Sequence, residues 1–345
     1  MKFNLQLSCD YPDPSYGADR VYGDMLEQAV LADQLGFESV GFTEHHLVNC
    51  LMNPAPLMFA VKVAAMTQNL KILTAVVQLP LHDMRVFAGE VVVADTLTEG
   101  RLMLGVGRGA FEYELDRLGV PMAETRDRFD ESLDVLQALL REEEVSWTGT
   151  WYNFEPLTVM PRPVSPDRPP IMMAVMNPDG IRACVKRGFH ILTTPLSGDR
   201  ELFRQQVDAF TESRAELGEA GEDLSLSLSR VAFATSSAAH AREIQERAHH
   251  YYGRFDNIFR GPGTVDNGVI RELPHSQSVE ELAESLLVGP PSEIVDKLGE
   301  YADAGVDRMI LNINFGIEQQ QTLETIQLLA DEVLPHFSTE APSNG

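Results

Sequence analysis

Short apolar, β-branched runs alternate with segments of helical period along nearly the whole chain. Eight such runs, at residues 3–7, 39–43, 72–77, 101–106, 171–175, 189–192, 224–234 and 308–313, read as strands. Stretches with apolar residues three and four apart lie at 22–35, 57–66, 86–97, 128–140, 180–186 and 200–217, with a closing one at 319–333. Strands separated by helices of roughly ten to fifteen residues predict βαβ units and a parallel sheet. Eight of them fit one closed α/β (TIM) barrel better than an open doubly wound sheet, although periodicity alone leaves both open. Two stretches break the rhythm. Residues 145–165 are aromatic and end in prolines, as a hairpin covering a pocket would, and residues 249–290 form a longer excursion. Long segments in a compact barrel usually serve as lids or binding loops. The reading is a single barrel over 1–337 with these two insertions, and a disordered tail at 338–345.

Composition narrows the class. The chain has 345 residues, 44% apolar and 23% charged, so it can bury a large core without disulfides or metal. Cys9, Cys50 and Cys184 are too few and too scattered for a disulfide framework or a zinc site, which favours a reducing cytoplasm. No apolar run approaches a membrane span, and the opening MKFNLQLSCDYPDP lacks the layout of a signal peptide. Against 27 basic residues stand 52 acidic ones, a net charge of −25 that repels nucleic acid and anionic membranes. A phosphorylated ligand would therefore depend on a few local arginines.

Candidate chemistry sits where strands end, since barrel active sites lie at the C-terminal ends of strands. Thr43-Glu44-His45-His46 follows the second strand. Alternation puts Thr43 and His45 on one face and Glu44 and His46 on the other, so one histidine can face the mouth while its neighbour is tied elsewhere. Histidine titrates near neutrality and suits acid–base work, and adjacent histidines on opposite faces make a poor metal chelate. Gly105-Val106-Gly107-Arg108-Gly109 follows the fourth strand. Its third glycine comes one residue too early for the dinucleotide fingerprint, but glycines let backbone approach a flat ring, and Arg108 suits an oxyanion. Thr125-Arg126-Asp127-Arg128 opens the next helix, with Thr125 or Asp127 as its cap and an anion-favouring N-terminus. Each of these has an ordinary alternative as a turn or a solvated basic surface. Trp147, Trp151, Tyr251 and Phe255 are candidates for an apolar substrate cavity, or for packing beneath long loops. No nucleophile elbow, phosphate loop, zinc-protease helix or nicotinamide site is visible.

Taken together, the strings GFTEHHL (41–47), KILTAVVQLPLHD (71–83), EGRLMLGVGRGAFEYEL (99–115), RDRFDESLDVL (126–136), GPPSEIVDKLGEYADAGVDRMILNINFG (289–316) and ADEVLPHF (330–337) resemble the bacterial luciferase-like monooxygenases. The likeness implies a TIM barrel, usually dimeric, that binds reduced FMN supplied by a separate reductase. Oxygen then adds to the flavin, and the resulting flavin peroxide oxygenates a small lipophilic or aromatic compound. The chemistry would reside in the flavin, in keeping with the missing nicotinamide fingerprint. The family's cis peptide beneath the flavin maps to Ala75–Val76 and its strand-two histidine to His45. Its flavin-contacting arginines map to Arg108, beside Gly107, and to Arg128. The phosphate segment maps to Ala174, Val175, Met176 and Asn177, where Asn177 and backbone amides replace the usual hydroxyl. Met84 stands where the family has proline, a usual acidic pair is reduced to Gly89-Glu90, and Gly107 replaces the reactive cysteine of luciferase itself. Related barrels that transfer hydride with a deazaflavin are the alternative, and a flavin-binding accessory protein without turnover is a third.

Overall fold

Seven of the eight apolar runs form one strand each and the run at 72–77 forms two, and their burial follows from being covered on both faces. A computed structural model describes residues 1–337 except Cys9, Pro12, Pro166 and Arg260, and the tail expected to be disordered, 338–345, lies outside the described residues. The strands are β1 Lys2–Gln6, β2 Ser39–Phe42, β3 Lys71–Thr74, β4 Val77–Gln78, β5 Leu102–Gly107, β6 Val145–Thr148 and β7 Asn153–Leu157. They continue with β8 Ile171–Ala174, β9 His190–Thr193, β10 Leu226–Ala234, β11 Val265–Asp266, β12 Val269–Ile270, β13 Leu287–Gly289 and β14 Arg308–Asn312. Helices α1 to α5 span Ala18–Gln34, Pro56–Ala64, Met84–Leu97, Glu112–Arg117 and Thr125–Arg141. Helices α6 to α11 span Pro178–Lys186, Arg200–Glu216, Ala238–Phe259, Val279–Ser285, Pro291–Asp303 and Gln319–Glu332.

The parallel path β1-β2-β3-β5-β8-β9-β10-β14 returns to β1, which closes the barrel and rules out the open sheet. Closure gives each of the eight barrel strands a neighbour on both sides. Leu73, Met103, Met172, Leu192 and Ile310 form a buried layer, with Ala75 and Val76 packed against it. At the N-terminal end, Arg308 donates from Nε (2.7 Å) and Nη2 (3.1 Å) to Glu38. Burial pushes the Glu38 carboxyl up, but Arg308, Lys2 and Lys71 prevail and hold it at about 2. Outside, α5 turns Phe129, Leu133, Leu136 and Leu140 inward at helical spacing, and Asp83 caps α3 by accepting from the Arg85 amide.

Several local expectations are corrected. The run at 72–77 is two strands, broken after Thr74 by a cis peptide between Ala75 and Val76, where the resemblance places one. Tyr251, Tyr252, Phe255 and Phe259 belong to the 22-residue helix α8 rather than to a loop. After it come the hairpin β11–β12, helix α9 and the short strand β13, which pairs with the end of β10. Residues 145–157 do form a hairpin, β6 with β7. Neither Thr125 nor Asp127 caps α5: Thr125 is its first residue, and its hydroxyl bonds back to the Met122 carbonyl.

Candidate active site

The mouth is built from the segments that leave β2, β4 and β5. Beyond β2, Glu44 is buried, and its amide donates to the Val76 carbonyl across the cis peptide (3.1 Å). Glu44 Oε1 accepts from Nε2 of His46 (2.9 Å) and Nε2 of His82 (2.8 Å), while Oε2 accepts from the Gln78 amide (2.6 Å). On α4, Glu114 is fully buried. Its Oε1 accepts from His45 Nδ1 (2.9 Å) and Gln78 Nε2 (2.7 Å), and its Oε2 from the His46 amide (2.8 Å). Gln78 Nε2 also donates to the Glu44 carbonyl (2.9 Å), so one side chain crosslinks the two carboxylate-bearing segments.

Both carboxyls are ionised. Burial pushes Glu44 up, but the bonds from His46 and His82 and the charge of His82 outweigh it and hold the group at about 2. Glu114 is likewise lowered, its burial overcome by the charge and hydrogen bond of His45 and the amide of His46. The bond to Glu44 raises His46, against its own burial. An ionised carboxylate only accepts, so each ring nitrogen facing one carries the proton. His45 is therefore bonded through Nδ1–H, which leaves Nε2 for a reacting partner. Its ring stacks on Phe111 at 4.1 Å, and Phe111 meets Phe259 (5.2 Å) and Phe255 (6.4 Å) of α8 edge-on. Ser8 donates to Asn312 (2.6 Å), and Asn312 to the Tyr251 hydroxyl (3.0 Å), which anchors α8 over the barrel end.

Beside this lies a cradle. A Cβ on Gly107 would come within 2.7 Å of Val76 Cγ2 and 3.6 Å of Ala174 Cβ, so Val76, Gly107 and Ala174 form one contiguous strip. A Cβ on Gly105 would fall 1.9 Å from the Thr74 carbonyl, so only glycine lets β5 approach β3 there. Floored by the Leu73–Ile310 layer, the strip fits the flat, apolar body of a flavin. Arg108, mostly exposed, donates to Thr125 Oγ1 (3.2 Å). Desolvation, and then the charge of Arg126, lower its pKa, as expected where cations gather; such a cluster suits a phosphate. Arg128 lies over the Trp151 ring, 5.5 Å from its centroid.

The structure thus unites His45 with Phe111, Tyr251 and Phe255, and Val76 with Gly107 and Ala174. It separates other candidates. Trp147 and Trp151 pack with the outer helices, and Glu131 of α5 accepts the Trp147 indole N–H (3.2 Å) and the Trp151 amide (3.0 Å). Tyr251 and Phe255 belong instead to the cluster at the mouth. Asn177 Oδ1 accepts from the amides of Asp179 (2.8 Å) and Gly180 (3.3 Å), so its side chain is engaged as the cap of α6. Glu114, Gln78, His82, Phe111 and Phe259 were not singled out from sequence. His82 carried a usable signal, because it follows strand three as His45 follows strand two. No group of three or more His, Cys, Asp or Glu among the described residues is arranged to hold a metal.

Comparison with known proteins agrees with this geometry. Residues 2–308 match the family model described as luciferase-like monooxygenase. The chain is 24% identical over 348 residues to the oxygenase component of flavin-dependent trigonelline monooxygenase from Acinetobacter baylyi, covering 98% of this chain and 96% of that one. It is 27% identical over 325 residues to the F420-dependent glucose-6-phosphate dehydrogenase of Beutenbergia cavernae, covering 91% and 93%. The crystal structure of monooxygenase RslO1 from Streptomyces bottropensis shares the fold, with a TM-score of 0.85 at 24% identity over 98% of this chain and 100% of that one.

Proposed function

The chain belongs to the luciferase-like monooxygenase family, and on that premise we propose that it is the oxygenase of a two-component system. It takes reduced FMN from a separate reductase and uses O2 to oxygenate a small lipophilic or aromatic substrate. The observation that carries this reading is the His45–Glu114 couple beside the glycine-floored strip of Val76, Gly107 and Ala174. When bound, reduced flavin supplies the two electrons that place one oxygen atom in the substrate and the other in water. Ala75, Val76, Gly107 and Ala174 would hold its ring. Arg108, with Arg128 and the Val175–Asn177 segment, would hold its phosphate.

The chain's own residues then do three things. Glu114 fixes His45 through Nδ1, so that Nε2 can take or return a proton at the reacting atom. The aromatic wall of Phe111, Tyr251, Phe255 and Phe259 limits water at the mouth and offers apolar surface to a substrate. Arg108 supplies local positive potential. The match to a relative named as an oxygenase component supports supply by a reductase, as does the lack of a nicotinamide fingerprint. A second reading, hydride transfer with a deazaflavin, is favoured by the F420-dependent relative. An anaerobic titration with reduced FMN and, in parallel, reduced deazaflavin, followed by oxygen, decides between them. Tighter binding of FMN with oxygen-dependent turnover supports the oxygenase. Preference for deazaflavin without oxygen dependence overturns it.

We also propose a cytoplasmic homodimer. No helix among the described residues is long and apolar enough to cross a membrane. Helices α2 and α3 pack together and expose Met58 (76%), Val86 (61%), Val93 (43%) and Leu97 (57%), a face that a second copy would cover. Sedimentation should give a dimer that Val93→Glu dissociates; a monomeric wild type removes this part of the proposal.

A further inference from the structure

The site holds more imidazole than one acid–base step requires. His46 leaves β2 and His82 follows β4, yet both Nε2 atoms converge on one oxygen of Glu44, at 2.9 and 2.8 Å. That carboxylate has no exposed side-chain surface, whereas the two rings keep 21% and 25% of theirs. Neither Nδ1 has a hydrogen-bond partner among the described residues, so each ring offers one outer nitrogen for proton exchange. Glu44 and Glu114 face His46. His82 faces Glu44 on one side and Phe87 of α3 on the other (4.7 Å), next to the Asp83–Arg85 pair, and the Tyr152 hydroxyl donates to its carbonyl. Gln78 ties this assembly to the His45–Glu114 couple.

We infer that His46 and His82 share one excess proton across Glu44 and form a second acid–base couple that supplies the proton consumed in each turnover. The inference rests on the oxygenase reading. With the reduced flavin in its anionic form, flavin, O2, substrate and one proton give oxidised flavin, oxygenated substrate and water. The charged ring of the pair releases its Nδ1 proton to the mouth and keeps Nε2–H on Glu44. As it does so, the other ring takes a proton from solvent at Nδ1. The carboxylate thus always faces one imidazolium, and the buried charge is unchanged. Because they act through this exchange, Glu44 and His82 are positioning residues; His45 remains the catalytic one.

Two measurements test the inference. In the cofactor-free protein labelled with ¹⁵N-histidine, His46 and His82 should titrate in two coupled steps, each signal responding to both. Glu44→Gln should reduce each to a single step. Independent single-step titrations in the wild type overturn the shared proton. In turnover with reduced FMN, His82→Gln should lower kcat about tenfold, with an enlarged solvent isotope effect and an unchanged dissociation constant for reduced FMN. Added imidazole should restore the rate. A loss that imidazole does not repair, or one carried by weaker FMN binding, assigns His82 a packing role and overturns the inference. Coupled titration in a protein without oxygen-dependent turnover would instead remove the oxygenase reading and leave the couple standing.

Discussion

Replacing Glu44 by glutamine removes a buried charge while nearly preserving shape, and its cost should depend on pH in a calculable way. All three partners of the carboxylate are donors: His46 Nε2, His82 Nε2 and the Gln78 amide. A glutamine can turn its carbonyl to the two imidazoles, but its NH2 then faces the Gln78 N–H. That mismatch costs about 1–3 kcal/mol at any pH. The charge adds a second part. A carboxyl moved from 4.5 to about 2 on folding stabilises the native state fully above its unfolded value, and this contribution is lost as pH falls through the folded one. Linkage gives about 3.5 kcal/mol at about pH 5.5 and about 1.5 kcal/mol at about pH 3. Both conditions lie below the histidine range, so His46, whose raised pKa acts in the opposite sense, stays protonated at each. Glu38 is also held at about 2, but it is common to both proteins and cancels. Reversible urea unfolding at the two pH values should therefore show the gap between wild type and Glu44→Gln narrowing by about 2 kcal/mol on acidification. A gap of equal size at both would mean that the variant suffers only from packing, and that the carboxylate charge is not what organises the imidazoles.

Glu114→Gln keeps a carbonyl for His45 Nδ1–H but loses the charge; kcat should fall roughly 10–100-fold, with the reduced-FMN dissociation constant within about twofold of wild type. Gly107→Ala brings a Cβ to 2.7 Å from Val76 Cγ2. It should weaken reduced-FMN binding at least about tenfold in an anaerobic titration, and unchanged affinity would displace the ring from this strip. Arg108→Ala should weaken the same binding by about tenfold and flatten its dependence on salt, measured as the slope of affinity against ionic strength. Asn257 is fully buried; its Nδ2 donates to the carbonyls of Thr264 (2.8 Å) and Arg271 (2.7 Å), and its Oδ1 accepts the Thr264 amide (2.9 Å). Asn257→Ala should therefore make the β11–β12 segment a preferred site of limited proteolysis, and an unchanged cleavage pattern would show that other contacts hold it.

The barrel was legible because each of its strands is a short apolar run, and the runs alternate with helices whose inward stripe is apolar. Local pattern succeeds when the partner is an undifferentiated core. Helix α8 was missed for the same reason. Its buried positions Ala241, Ile244, Ala248, Tyr251 and Ile258 keep helical spacing. They are interleaved with Gly253, paired histidines and aromatics that read as loop residues. His45 was singled out by its place after a strand, and Arg108 and the Ala75–Val76 peptide by the family likeness; of these, the cis peptide is the one the structure shows. Glu114 was not singled out, since the bond that gives it meaning spans 69 positions and nothing in FEYEL distinguishes a buried carboxylate from a solvated one. Trp147 and Trp151 show the converse. An aromatic cluster beside prolines suggested a cavity; in the structure Glu131 of α5 accepts from the Trp147 indole and from the amides of Thr150, Trp151 and Tyr152, and the two indoles lie in a different cluster from Tyr251 and Phe255.

On the proposed reading, the charge distribution explains how so acidic a chain would serve an anionic cofactor. Exposed charges are screened beyond about 8 Å at physiological ionic strength, so most of the net −25 lies too far from the cradle to matter once a ligand is seated. Glu44 and Glu114, at the mouth, are buried and engaged by imidazoles, backbone amides and Gln78, which confines their fields to the residues they orient. Desolvation and the nearby charge of Arg126 lower the affinity of Arg108 for its proton, and Arg128 stands two residues after Arg126 in the first turn of the same helix. Placed at the head of α5, they add to the partial positive charge of that helix terminus. The global field thus acts on encounter and the local one on binding. The acidic surface slows the approach of any anion, including adventitious phosphates, while the arginines would retain the one whose ring also fills the apolar strip. On the proposed reading, selectivity for a flavin over other phosphates would come from a ring seated at Val76, Gly107 and Ala174, because the arginines by themselves would hold either.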